Sequence, residues 1–140
     1  MCLKGFYALR IKALSFKKDV YRGTIGIFES REKERRMKDC EIKREGDALV
    51  AMVGCEIDHH TARVIREMID GKLADQGIAC LRLDFSAVTF MDSSGIGLII
   101  GRAAKAEKNG TVVEVTGLKG SLRRLVRMSG IEKIPNVRIK

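Results

Sequence analysis

The chain has 140 residues, enough for one domain with a sizeable core and little room for a second. Hydrophobic residues make up 45% and charged residues 32%, a globular composition in which no apolar run is long enough to span a membrane. The net charge of +9 points first to nucleic acid or an acidic membrane, but residues 1–36 hold ten Lys/Arg against four Asp/Glu, whereas residues 37–140 hold seventeen against fourteen.

Residues 1–36 show no clean period. Lys4 and Arg10 are followed by no sustained apolar stretch and no cleavage site, so a signal peptide is not expected. The stretch 24–28, TIGIF, reads as a short strand, and ESREKERR as a solvated charge run. Lys33-Glu34 can be encoded as a purine-rich ribosome-binding sequence, with Arg35-Arg36 as spacer. The functional chain is therefore expected to begin at Met37, with residues 1–36 a basic extension outside the natural product.

From Met37 the pattern becomes regular. Residues 38–44 and 48–57 read as strands, separated by a hairpin-like break at Glu45-Gly46-Asp47. Val64, Ile65, Met68, Ile69 and Leu73 recur at helical spacing, which predicts a helix over 61–74 with Thr61 as its N-cap. In CLRLDF, Leu81, Leu83 and Phe85 alternate with Arg82 and Asp84, the signature of a half-buried strand. A second helix is expected over 93–108, with Ile96, Ile99, Ile100 and Ala103 on its inner stripe and Asn109-Gly110 ending it. TVVEVTG at 111–117 is a β-branched strand, and Leu122, Leu125 and Val126 face inward on a helix over 121–128. NVRIK adds a last strand. Strands alternating with helices give an α/β domain, a small mixed sheet with covering helices.

Cys2, Cys40, Cys55 and Cys80 are widely spread, form no C-x-x-C and make no zinc spacing with His59 and His60. Reduced thiols in a cytoplasmic protein are expected, with no metal and no cofactor.

The stretch FMDSSGIG, residues 90–97, admits three readings. Ser93, His59 or His60, and Asp58 or Asp92 supply the residue types of a hydrolase triad. However, Met91 and Asp92 stand where a G-x-S-x-G elbow requires glycine. Gly95, Gly97 and Gly101 open a helix after a strand, but their spacing is not that of a dinucleotide site, and close helix packing explains them better. The third reading is a helix N-terminus, where Asp92, Ser93 and Ser94 stand in capping positions and a phosphate is tolerated electrostatically. Lys119, Arg123, Arg124 and Arg127 form a basic face, read either as solvated or as a nucleic-acid contact.

FMDSSGIGLIIGR resembles the signature of anti-sigma factor antagonists of the SpoIIAA type, members of the STAS domain family. GCEIDHHTA at 54–62 is similar to the family's G-E-L-D-H-H-T-A, with one extra residue, and LVRMSGIEKI at 125–134 to its closing helix and turn. The likeness covers about residues 38–135. It implies a switch and not an enzyme. The unphosphorylated form would bind an anti-sigma factor that is also a GHKL-type serine kinase, freeing a sigma factor. Phosphorylation of the serine directly after Asp, here Ser93, would release it, and a PPM-type phosphatase would restore it. Asp58, His59, Asp92, Ser94 and Gly95 become the expected partner-binding residues, with no direct nucleic-acid or membrane contact. Other STAS roles, in a stressosome-like scaffold or beside a transporter, remain as the alternative. Family members usually end in a further helix, which the sequence after NVRIK does not supply.

Overall fold

A computed structural model of the chain describes residues 38–140, together with Ser30, Arg31 and Glu34. The strand expected at 24–28, the start expected at Met37, and Cys2 lie outside the described residues. Residues 38–140 fall within one unit, Arg36–Lys140.

The first two strands, β1 (Cys40–Glu45) and β2 (Ala48–Val53), form an antiparallel hairpin closed at Gly46 and Asp47. Gly46 takes φ +63°, a left-handed conformation that favours glycine, so the turn can be this tight. The second strand is shorter than its apolar run suggests, ending at Val53 and not at residue 57. The Gly54 N–H donates to Asp39 O at 2.9 Å, the last hairpin bond. A Cβ at Gly54 would lie 2.8 Å from the Lys38 carbonyl, so glycine permits the close crossing at which the chain leaves the sheet.

Helix α1 (His59–Leu73) begins two residues before the expected start. The cap is Asp58, not Thr61. Asp58 is extended, and its carboxylate accepts from the Thr61 N–H at 2.8 Å while the Thr61 hydroxyl accepts from the Asp58 N–H at 2.9 Å. This is a reciprocal capping box with threonine at the third helical position, a variant of the usual Glu/Gln arrangement. Ala62, Ile65, Ile69 and Leu73 are buried on its inner face. Each fully buried Ile or Leu contributes roughly 1.5–3 kcal/mol of transfer free energy.

Strand β3 (Cys80–Asp84), helix α2 (Ser93–Glu107), strand β4 (Val112–Thr116), helix α3 (Gly120–Met128) and strand β5 (Val137–Ile139) follow in the expected order. A 3₁₀ turn over Ile131–Lys133 precedes β5. The five strands lie side by side in chain order, with β2 to β5 parallel and only β1 antiparallel. Crossovers of the usual right hand between parallel neighbours place helices α1, α2 and α3 on one face. Leu49, Ala51, Val53, Leu81, Leu83, Val113 and Val115 are buried in the core, as is Phe85 just beyond β3. The other face is partly polar. There Glu114, 7% exposed, lies 3.1 Å from Arg82 Nε and 2.7 Å from Lys140 Nζ.

One inner stripe differs from expectation. On α2 the buried residues are Gly95, Leu98, Ile99, Arg102, Ala103 and Ala106, whereas Ile96 is half-buried and Ile100 is 43% exposed. An Ile-rich helix offers two apolar stripes, and only packing decides which one enters the core. The other remains available to solvent or a partner.

Candidate functional site

The site is built where the two loops that follow β2 and β3 meet. Ile57 and Met91 form an isolated parallel bridge. The Ile57 N–H donates to Phe90 O at 3.0 Å and the Asp92 N–H donates to Ile57 O at 3.1 Å. Both bridge side chains are buried, Ile57 completely, so the pairing is anchored in the core. The next residue in each strand is an aspartate. Asp58 and Asp92 both have extended backbones and both cap a helix. The helices α1 and α2 therefore start side by side, with His59 and Ser93 each at the first helical position.

At the second helix the Asp92 carboxylate accepts from the Ser94 N–H at 2.7 Å and its carbonyl from the Gly95 N–H at 3.1 Å. Asp92 is thus the cap, and neither serine hydroxyl is consumed by capping. Ser93 is exposed, Ser94 half-buried. Gly95 is buried, and a Cβ there would collide with the Met91 side chain and touch Ile57. Its contribution is to let α2 close onto the bridge, rather than to offer a surface. Phe90, 51% exposed, stands just outside the turn.

The Asp58 carboxyl is held below the usual carboxylate range, first by the Thr61 N–H, then by the Thr61 hydroxyl and the His60 N–H. Cys55 is half-buried just upstream, its thiol pushed up to about 11 by burial and by the carboxylates of Asp39, Asp58 and Glu56. It is a poor nucleophile at neutral pH.

Between the N-terminal halves of α1 and α2 lies an open groove of about 490 Å³. His59, Arg63 and Arg66 line one side, and Ser94, Gly97 and Leu98 the other. A Cβ at Gly97 or Gly101 would meet nothing within 4 Å, so these glycines leave free space on α2. Beneath runs a feature that sequence reasoning missed. Arg102 is buried, its Nη1 3.1 Å from Asp70 Oδ1 and 3.3 Å from the Arg66 carbonyl. Lys105 Nζ lies 3.3 Å from Asp70 Oδ2. The Arg102–Asp70 contact is an ion pair by distance rather than an aligned hydrogen bond, and Arg102 Nε has no partner. The only sequence signal was an arginine at the core-facing spacing from Leu98 and Ala106.

The rival chemistries find little support in this geometry. Among the described residues, no hydrogen bond joins Ser93 to His59 or His60, and the carboxylates of Asp58 and Asp92 are turned to helix N–H groups instead of an imidazole. Gly95 is filled by Met91 and forms no phosphate cradle. Lys119, Arg123, Arg124 and Arg127 lie on and around α3, with Arg127 Nε 3.3 Å from Glu132. Among the described residues, no group of three or more His, Cys, Asp or Glu side chains could hold a metal ion. No described helix is long and apolar enough to cross a membrane.

A ββαβαβαβ sheet in chain order, with two aspartate-capped helix starts clasped by a bridge, defines a small α/β domain. The STAS domain matches residues 39–140, and the chain belongs to that family. It is 35% identical over 98 residues to the anti-sigma-B factor antagonist of Bacillus subtilis, covering 70% of this chain and 87% of that one. It is 31% identical over 94 residues to the anti-sigma F factor antagonist of Paenibacillus polymyxa, covering 67% and 80%. In fold it is similar to the Bacillus cell-fate determinant SpoIIAA in its phosphorylated form, with TM-score 0.58, 24% identity, and coverage of 72% of this chain and 90% of that one.

Proposed function

We infer that the chain is an anti-sigma factor antagonist whose docking is controlled by phosphorylation at Ser93. The unphosphorylated form binds an anti-sigma factor in the cytoplasm and so frees a sigma factor. The anti-sigma factor is also a GHKL-type serine kinase, which phosphorylates Ser93 and is released; a PPM-type phosphatase resets the protein. The observation that carries this reading is the placement of Ser93, exposed at the first position of α2 and level with Asp58 and His59. The names of the curated relatives support the partner class.

Elementary electrostatics accounts for the switch. A phosphoserine adds about −1.5 to −2 charges at neutral pH. The dipole of α2 offsets part of that charge, so the domain stays folded. A docked partner meets an anion beside Asp92 and Asp58, and a phosphate driven into the interface loses hydration. Each ~1.4 kcal/mol of that penalty weakens binding tenfold, so no large rearrangement is needed.

The test is phosphate transfer from labelled ATP by the anti-sigma kinase of the same genome. Label is expected in wild type and Ser94→Ala and absent from Ser93→Ala. Label retained in Ser93→Ala and lost in Ser94→Ala moves the site by one residue. No label in any form, with the kinase bound, rejects the switch.

A further inference from the structure

The groove behind the serine turn carries more positive than negative charge, and its imbalance says what docks there. Along the facing sides of α1 and α2 stand Arg63, Arg66, Arg102 and Lys105, with Glu67 and Asp70 between them. Glu67 accepts from Arg63 at 3.3 Å. Asp70 is shared by Arg102 and Lys105, at 3.1 Å and 3.3 Å. Both carboxylates are therefore occupied. Arg66 makes no side-chain ion pair among the described residues. The side chain of Arg66 lines the groove and is exposed.

The opposite wall is shaped for close approach. Gly97 and Gly101 are one turn apart on α2, and each leaves open space where a side chain would stand. Small residues let a second helix approach closely.

Resting on the reading given above, we propose that this groove seats a helix of the anti-sigma factor that carries a carboxylate, and that the carboxylate pairs with Arg66. The partner surface then presents an anion about two turns along α1 from its start, toward Arg66. A carboxylate at that place would select the cognate partner by charge as well as by fit, because a cation there meets Arg66 as a like charge.

The experiment measures affinity of the anti-sigma factor of the same genome for wild type, Arg66→Gln, Arg66→Glu and Glu67→Gln, with circular dichroism to check folding. Arg66→Gln should weaken binding about tenfold, and Arg66→Glu about a hundredfold. Binding by Arg66→Gln should depend less on salt than wild type. Glu67→Gln, which frees Arg63, should tighten binding severalfold. A lysine in place of the facing partner carboxylate should restore binding to Arg66→Glu. If wild type binds and all Arg66 variants bind equally well, the acidic occupant is wrong while the antagonist reading stands. If wild type binds no anti-sigma factor of its genome, both fall.

Discussion

Ile57 and Met91 are far apart in sequence, yet their parallel bridge holds the two helix starts level, so that Asp58 and Asp92 stand as neighbouring caps. Everything assigned to the serine turn depends on this clasp. It makes one surface from two loops that the sequence presents as separate motifs.

Ser93→Asp should imitate release, though imperfectly. One carboxylate brings less charge and fewer acceptors than a phosphate. Affinity for the anti-sigma factor is expected to fall about tenfold or more, against no more than a small change for Ser93→Ala. Isothermal titration of the three proteins decides, and equal affinity for wild type and Ser93→Asp counts against an electrostatic switch.

Asp58→Lys reverses a charge on the proposed docking surface and removes the cap of α1. Binding should weaken ten- to a hundredfold. Thr61→Val removes the other half of the capping box and leaves the Asp58 charge in place, so it separates helix capping from contact. Folded Asp58→Lys that binds as wild type does would remove Asp58 from the interface.

Gly95→Ala adds a methyl group where the Met91 side chain already sits against Ile57. Crowding of this kind costs typically 1–3 kcal/mol. The urea midpoint should fall accordingly, and Met91→Ala in the same background should recover part of the loss by making room. A Gly95→Ala protein as stable as wild type would mean that Met91 moves aside freely.

Asp70→Ala should be worse than Arg102→Met. The first strands a buried guanidinium, and removing one partner of a buried ion pair costs up to roughly 3–5 kcal/mol. The second leaves a partly exposed carboxylate that keeps Lys105 and retains most of the packed volume. Chemical denaturation of both variants gives the order, and the reverse order would show that the bond from Arg102 to the Arg66 carbonyl matters more than the pair with Asp70.

Cys40 is 1% exposed at the start of β1, and burial pushes its thiol up to about 12. Its folded pKa is raised, so the unfolded chain loses this proton first. Stability is then constant below about pH 8.5 and falls as pH rises toward 12, by up to ~1.4 kcal/mol per unit from this group. Cys40→Ala should flatten that part of the profile, measured from denaturation midpoints between pH 8 and pH 10.

The order of elements was legible because each carried its own period, from Leu81 and Leu83 in a strand to Ile65 and Ile69 on a helix. The ends were harder. Thr61 and Asp58 both qualify as caps by residue type, and only backbone geometry separates the cap from its reciprocal partner. Residues 48–57 read as one strand, and the break depends on how closely Gly54 passes Lys38. The motif residues around Ser93 were visible as a string, but the clasp through Ile57 and the ion pair of Arg102 with Asp70 join residues distant in sequence. Local patterns carry no record of such pairings.

The sheet is assembled in the same sequence as the polypeptide is made: β2 receives β3, β3 receives β4, and β4 receives β5. A nascent chain leaving the ribosome can thus dock each strand and helix on an edge that is already present. No late strand has to insert between two early ones, which keeps loop closures short and limits the time that bare edges face other chains. The same arrangement fixes when the two helix starts come together during synthesis: α1 is made first but is clasped only once Met91 has emerged, so the surface they share forms with the second loop.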